Sequence, residues 1–415
     1  MTFPGPVTTC ETTRSPGPLA DVLRQTKLLV LAGSGGVGKT TTAAALALTA
    51  ACMGRRVLVL TIDPAQRLLQ ALGLLGEAVP ANTPLEILPR LTRQLTDLGQ
   101  DPPAGTLHAM MLDAESGAEL MVERLLPDPS LRDQVMGNRV YRALLPMLSS
   151  SPDYVALELI ASLLAEDRYD LLVLDTPPMQ NAVDFLHAGG TLSAFINERV
   201  LRWFSRVPQP GEKKKFSLLG AGGSMAMAVM GRLVGGETLP DIAQFFVSFR
   251  DVMPKMAERA RETDRMLRSP GTRFLLVTTP GATALREARH LQAELRSQGL
   301  PFAGFVVNRV LQVPDGFGGG AGREVALGDL RGRLQRSGMD EASADAMSRR
   351  LDQAAAGLHH LSQADEAHIV ALQRLSEPHG FCAVAAEREG DVHTLAELCD
   401  LGARLLDGVR PGVVP

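Results

Sequence analysis

Short, uninterrupted apolar runs alternate with longer stretches of helical periodicity along most of the chain. The apolar runs are Leu28 to Ala32, Val57 to Ile62, Leu171 to Leu174, Phe274 to Thr278, Phe305 to Val307 and Phe381 to Ala385. Because these runs are continuous, they predict strands that are buried on both faces, as in a parallel sheet. Helical stretches such as Thr40 to Met53 and Ala284 to Gln298 would supply the crossovers. The pattern predicts an α/β fold with a doubly wound, mostly parallel sheet.

Two intervals interrupt this alternation. Residues 75–165 and 192–267 are mostly helical in pattern, apart from a candidate short strand at Leu107 to Leu112. We expect both to be helical subdomain insertions into a single domain, because neither contains a series of strands of its own. The predicted parts of the chain are a disordered tail at 1–22, one domain at 23–410 and a short tail at 411–415.

Composition narrows the classes of function. Of the 415 residues, 45% are hydrophobic and 21% are charged, which is typical of a globular protein. The net charge of −4 argues against a nucleic-acid partner, because proteins that bind the phosphate backbone carry an excess of Lys and Arg. The cysteines lack the paired spacing of a disulfide framework or a CxxC metal site, and this usage predicts a cytoplasmic protein. The cysteines in question are Cys10, Cys52, Cys382 and Cys399.

A glycine-rich motif follows the first predicted strand. Residues 33–40 read Gly-Ser-Gly-Gly-Val-Gly-Lys-Thr, which matches the pattern G-x-x-x-x-G-K-[ST] of the P-loop NTPases, with a strand before it and a helix after it. Glycines let successive main-chain N–H groups point at phosphate, Lys39 would reach the β- and γ-phosphates, and the Thr40 hydroxyl would coordinate Mg²⁺. The predicted nucleotide-binding residues of this loop are Gly33, Ser34, Gly35, Gly36, Val37, Gly38, Lys39, Thr40 and Thr41.

A dinucleotide-binding Rossmann protein is the remote alternative. The same glycines satisfy G-x-G-x-x-G, and an acidic residue, Asp63, follows the next strand. A dinucleotide site needs neither the ammonium of Lys39 nor the hydroxyl of Thr40, so these two residues favour a nucleoside triphosphate.

Two aspartates follow predicted strands. Asp63 ends the run from Val57 to Ile62, and Asp175 ends the run from Leu171 to Leu174. Ligands of open α/β sheets lie outside the carboxyl ends of the strands, so both carboxylates are expected beside a nucleotide bound at Lys39. We predict that Asp175 and Asp63 hold Mg²⁺ through water, together with the Thr40 hydroxyl, and that Asp63 also positions or deprotonates the attacking water. Each aspartate could instead cap a turn or a helix.

Four segments together resemble the ArsA-type ATPases, which include arsenite-pump ATPases and tail-anchored-protein-targeting ATPases. They are the glycine-rich loop, Thr-Ile-Asp-Pro-Ala from Thr61, Asp-Thr-Pro-Pro from Asp175, and Val-Val-Asn-Arg from Val306. The resemblance implies an ATP- and Mg²⁺-dependent hydrolase whose dimer rearranges with the nucleotide. It also implies that Asp63 and Lys39 are catalytic and that Asn308 binds adenine.

The chain departs from the family pattern at three points. The family usually has a signature lysine at the position of Ser34, the CxxC that holds zinc between targeting subunits is absent, and there is no cysteine cluster for arsenite. A lysine that acts across a dimer contributes large rate factors, as arginine fingers do. The partner predicted is therefore either a second copy, with slow hydrolysis, or a paralogous ATPase that supplies the lysine. A weakly hydrolysing regulatory subunit is one alternative function.

The methionine-rich segment 216–234 suggests another alternative, an ATP-switched chaperone. Methionines form adaptable apolar surfaces, so this segment is a candidate contact for a membrane protein or another hydrophobic segment, at the membrane periphery. The simpler interpretation is a set of core helices or a surface flap.

Overall fold

A nine-stranded sheet forms the centre of the described part of the protein. The computed structural model describes residues 17–62, 67–74, 80–87, 103–113, 152–176, 258–313, 321–376, 380–388 and 394–411, with a few isolated positions. The strands are β1 Leu28–Gly33, β2 Arg56–Thr61, β3 Leu85–Glu86, β4 Thr106–Met111, β5 Leu171–Asp175, β6 Thr272–Thr278, β7 Phe302–Val310, β8 Phe381–Ala386 and β9 Val409–Pro411.

Helices cover both faces of this sheet. Those with defined bounds are α1 Pro18–Gln25, α2 Lys39–Cys52, α3 Arg67–Ala71, α4 Pro152–Ala165, α5 Ala282–Ser297, α6 Ala321–Arg336, α7 Glu341–Ser376 and α8 Leu395–Asp407. None of the described helices combines the length and the hydropathy that a membrane span requires.

The strand order is β3-β4-β2-β5-β1-β6-β7-β8-β9, and β1 lies between β5 and β6. All neighbouring strands from β4 to β8 are parallel, whereas β3 and β9 pair antiparallel with β4 and β8. The order reverses on either side of β1, which makes the sheet doubly wound. The predicted α/β fold is confirmed.

Alternate residues of β1 face two separate hydrophobic cores. Leu29 and Leu31 pack with residues of α1, α2 and α8, and Leu28 and Val30 pack with residues of α4, α5 and α7. All four side chains are at most 1% exposed. The continuous apolar pattern of the predicted strands therefore results from helices on both faces.

Some boundaries differ from the sequence-based prediction. The interval 75–165 contributes β3 and β4 to the central sheet as well as α4, so it is not a purely helical insertion. Residues 18–22 belong to α1, and Leu19 is fully buried, so these residues are not part of a disordered tail. The second predicted insertion, 192–267, lies almost entirely outside the described residues.

Helix α8 packs closely against α2, which follows the glycine-rich loop. A Cβ atom placed on Gly402 would lie 2.1 Å from the Thr49 Oγ1 atom, so only a glycine allows this approach. The Thr49 hydroxyl in turn donates a 2.7 Å hydrogen bond to the Ala45 main-chain oxygen. The alanine-rich middle of α2 is fully buried, and these small side chains allow the helix to lie close to its neighbours.

Candidate functional site

The glycine-rich loop lies at the carboxyl end of β1 and forms one wall of a cleft of about 210 Å³. Gly36 and Gly38 have φ values of 79° and 91°, in the left-handed region that favours glycine, and Gly38 is the N-cap of α2. The cleft is also lined by Lys39, Thr40 and Asp175. The predicted loop residues therefore form a concave surface at the start of a helix, where anions bind favourably.

The Lys39 ammonium is held over the loop by main-chain oxygens. Its Nζ atom donates to the oxygens of Gly33 and Ser34, at 3.0 and 2.9 Å, and the residue is only 8% exposed. Both acceptors belong to the loop itself, so the positive charge lies inside the concave surface. A phosphate group in the cleft would meet this ammonium directly.

Thr40 and Asp175 form an oxygen-rich pair on the same cleft. The Thr40 hydroxyl donates a 2.6 Å hydrogen bond to the Asp175 Oδ2 atom, and the Thr61 hydroxyl approaches the same atom at 3.3 Å. Asp175 is 1% exposed because it ends a strand between β1 and β2. A hydroxyl and a carboxylate are the hard oxygen donors that Mg²⁺ prefers, and Mg²⁺ keeps several waters as further ligands. Residues of this type and spacing fit such an ion.

The described residues contain no cluster of three or more His, Cys, Asp or Glu side chains that could hold a metal ion. A tetrahedral zinc site is built from such a cluster, whereas a nucleotide-associated Mg²⁺ needs only one or two carboxylates.

Asn308 contacts the loop from β7, the second strand beyond β1. Its Nδ2 atom donates a 3.0 Å hydrogen bond to the Val37 main-chain oxygen, and a Cβ atom on Gly38 would lie 2.4 Å from Nδ2. The side chain therefore packs on Gly38, the N-cap of α2. It also lines a second cleft, of about 380 Å³, next to the first one.

The second cleft contains residues to which sequence reasoning gave no role. Its walls include Glu387 and Arg388, which follow β8, and Arg388 is held by a 2.6 Å ion pair with Asp400 of α8. Arg309 lines both clefts and has a φ of 58°. For a residue with a Cβ atom, the left-handed conformation costs about 1–2 kcal/mol. The motif Val-Val-Asn-Arg identified the position of Arg309 in sequence, but nothing in the sequence indicates its backbone conformation.

Ser34 is hydrogen-bonded to an acidic residue of α5. Its hydroxyl donates to Glu287, which is half-buried and distant in sequence. At the loop position where the ArsA-type pattern has a lysine, this protein thus has a hydroxyl with a carboxylate beside it. No sequence signal links these two residues.

Two sets of predicted residues lie outside the described part of the chain. Description of the chain stops at Ile62, directly after β2, so Asp63 is outside. The methionine-rich segment 216–234 is also outside. Lys39, Thr40, Asp175 and Asn308 lie together around the glycine-rich loop. The proximity of Asp63 to this group stays a prediction.

The family and two of the relatives that the chain resembles in sequence are named as ATPases. The sequence model of the family described as "Anion-transporting ATPase" matches residues 26–316. The chain is 27% identical to "ATPase GET3B" of Arabidopsis thaliana over 304 residues, covering 69% of this chain and 64% of that protein. It is 25% identical to "ATPase get3" of Aspergillus terreus over 292 residues, covering 69% and 74%.

An uncharacterized protein of Streptomyces coelicolor is 30% identical over 286 residues, which cover 69% of this chain and 63% of that protein. The alignments with the plant and Streptomyces proteins thus span less than two thirds of those relatives.

Proposed function

Because the chain belongs to the anion-transporting ATPase family, we propose that it binds ATP with Mg²⁺ and hydrolyses it. The observation that carries this proposal is the convergence of the Lys39 ammonium and the Thr40–Asp175 oxygen pair on one cleft at the glycine-rich loop. A cation and a pair of hard oxygen donors at a helix N-terminus suit a nucleoside triphosphate better than a neutral ligand.

Each residue has a distinct part in the proposed reaction. Lys39 exchanges its main-chain acceptors for β- and γ-phosphate oxygens, and Thr40 and Asp175 hold the metal, Asp175 through water. Bound Mg²⁺ neutralises charge that develops on the phosphate oxygens. Asp63 orients the attacking water or accepts its proton as the oxygen bonds to the γ-phosphorus. The bond to the bridging oxygen then breaks, and ADP and inorganic phosphate leave.

We extend the proposal to a nucleotide-dependent dimer that acts on a partner. The description of the matched family supports anion transport as the class of work. Membrane-protein targeting is the other class that we propose, on the resemblance of the four sequence segments to the ArsA-type ATPases. Asn308 contributes an amide beside the loop, which can both donate to and accept from an adenine edge.

A second candidate function is a weakly hydrolysing subunit of a heterodimer. The observation that favours it is the hydrogen bond from Ser34 to Glu287. A carboxylate beside the phosphate loop disfavours additional negative charge unless a cation lies between them. A paralogous subunit that inserts a lysine or arginine at this point would supply that cation.

Calorimetry and phosphate release test the main proposal. Purified protein is titrated with ATP with and without Mg²⁺, and hydrolysis is compared between wild type, Asp63→Asn and a distant control, Asp167→Asn. We expect Mg²⁺-dependent binding, and hydrolysis that Asp63→Asn alone reduces by about 100-fold or more. Folded wild-type protein that takes up no adenine nucleotide would refute the proposal, whereas equal rates in all three proteins would remove Asp63 from the mechanism.

The heterodimer candidate has its own test. Ser34→Lys with Glu287→Gln restores a loop cation and removes the neighbouring carboxylate. We expect a rate gain of about 10-fold or more in this double variant, because transition-state cations contribute large factors. An unchanged rate would show that the missing lysine does not limit hydrolysis.

A further inference from the structure

Arg309 has an unusual main-chain conformation at a defined place in β7. The pairing of β7 with β8 shifts register between Val307 and Val310, which leaves Asn308 and Arg309 in a bulge. Arg309 has a φ of 58°, where glycine or asparagine would be less strained. A bulge next to a candidate site often re-aims a side chain, and an observed outlier of this type motivates a functional hypothesis.

Arg309 is one of the residues that the two clefts share. Both clefts are lined by Gly38, Thr41, Arg309 and Val392, while Lys39 and Asp175 line only the first and Asn308 only the second. The order along the joined clefts is therefore a phosphate-binding part, a shared part and a part that contains the Asn308 amide.

Arg309 differs from the neighbouring arginine in its interactions. Arg388 of the second cleft is fixed by Asp400. The exposed Arg309 guanidinium makes no hydrogen bond and no ion pair to any described residue. An arginine without an acid partner next to a phosphate-binding loop can still form its bidentate bonds with a ligand.

The chemistry of a nucleotide matches this arrangement. The main-chain N–H groups of the loop and Lys39 suit the β- and γ-phosphates. Gly38 and Thr41 line the shared part of the clefts, which lies next to this phosphate-binding part. A nucleotide that follows the cleft would then present its α-phosphate and sugar at the shared part.

We propose that Arg309 binds the nucleotide at the junction of the α-phosphate and the sugar. This contact gives a function to a residue that has a strained main chain and makes no ion pair with a described residue. The inference rests on the proposed function, since it requires a nucleotide at the glycine-rich loop.

The variant Arg309→Gly separates binding from folding. Glycine adopts the observed φ without strain, so we expect a Tm no lower than that of wild type. The Kd values for Mg·ATP and Mg·ADP should both rise by about 10-fold, because both ligands carry the α-phosphate and lose a charged hydrogen bond. The Kd for inorganic tripolyphosphate should rise less than twofold.

Asp167→Gly is the matched control. Asp167 is also a non-glycine residue at positive φ, 50°, and it lines neither cleft. The same relief of strain is expected there with no change in any of the three Kd values. Arg309→Asn serves as a second variant if Arg309→Gly does not fold, because asparagine also tolerates this conformation.

Three results would overturn the inference while wild type binds Mg·ATP. They are unchanged Kd values in both Arg309 variants, an equal loss for tripolyphosphate, and a Kd change in Asp167→Gly as large as that in Arg309→Gly. Failure of wild type itself to bind Mg·ATP would instead refute the proposed function.

Discussion

Thr40 and Asp175 are 135 residues apart in sequence, yet the Thr40 hydroxyl donates a 2.6 Å hydrogen bond to the Asp175 carboxylate. The bond joins the first turn of α2 to the end of β5. It holds two hard oxygen donors together at the edge of the cleft where we propose that Mg²⁺ binds.

Replacing Asp175 by asparagine should remove the metal function and preserve the shape of the site. The amide oxygen still accepts from Thr40, but the negative charge is lost. We expect the rate of Mg²⁺-dependent phosphate release to fall by about 100-fold, since the metal contributes several kcal/mol to the transition state. Thr61→Val is the control, because the 3.3 Å contact of Thr61 with the same carboxylate is weak. An Asp175→Asn enzyme as fast as Thr61→Val would contradict the assignment.

The Lys39 ammonium should contribute to affinity more than to folding. Lys39→Met retains most of the buried stem but cannot donate to phosphate. The Kd for Mg·ATP is expected to rise by about 10- to 100-fold, the value of a charged hydrogen bond. Lys27→Met, at an exposed lysine that pairs only at 4.0 Å with Asp167, should bind as wild type does. Similar affinities for the two variants would speak against a phosphate contact of Lys39.

The contact between Gly38 and Asn308 can be measured with a double-mutant cycle. Gly38→Ala introduces a Cβ atom 2.4 Å from the Asn308 Nδ2 atom and also occupies a φ of 91°. We expect Gly38→Ala to lower the free energy of unfolding by about 1–3 kcal/mol. Asn308→Ala should relieve the overlap but not the φ strain, so the two changes together should cost less than their sum. Strict additivity in chemical denaturation would show that the two residues do not interact.

The close packing of α8 on α2 makes Gly402 sensitive to substitution. Gly402→Ala should lower the free energy of unfolding by about 1–3 kcal/mol, because the new methyl group overlaps the Thr49 hydroxyl. Thr49→Ala should restore part of this loss. Gly357→Ala in α7 is the control, since a Cβ atom there meets nothing within 4 Å and alanine favours a helix by about 1 kcal/mol. Equal Tm changes at the two glycines would argue against this packing.

The thiol of Cys382 should resist modification in the folded protein. Burial raises its pKa to about 12, so the reactive thiolate is scarce near neutral pH. At pH 8 we expect iodoacetamide to label the half-buried Cys52 and Cys399 before Cys382, as peptide mass spectrometry can measure. The free energy of unfolding is unaffected by this thiol below the pKa of an exposed thiol, about 8.5. It falls as the pH rises from there towards the folded pKa, because the unfolded state loses the thiol proton first. Rapid labelling of Cys382 in folded protein would contradict the burial.

Much of the fold follows from the sequence because the strands of a covered parallel sheet are continuous apolar runs. The sequence predicts β4 only as a candidate strand, because its run Leu107 to Leu112 contains His108, and it does not predict the two-residue β3. Both add to the edge beyond β2, and their place depends on pairing with distant residues that no local pattern encodes.

The glycine-rich loop was recognisable because its chemistry requires a fixed local spacing. The contact of Ser34 with Glu287 and the left-handed conformation of Arg309 depend on α5 and on a bulge against β8, respectively. Such features arise from tertiary structure, so sequence reasoning found the residues of the motif but not these neighbours. The role of Asp63 stays a prediction.

The close approach of Gly402 to Thr49 has a consequence for where this protein can be shortened. The family match ends at residue 316, but α8 and β8 come later in the chain and pack on the loop-bearing helix and on β7. A fragment cut at the family boundary would expose the flank of α2 to water and leave β7 as a bare sheet edge. The final segment of the chain thus supports the helix that follows the glycine-rich loop, and we expect any shortened form that keeps the proposed nucleotide site to include this segment.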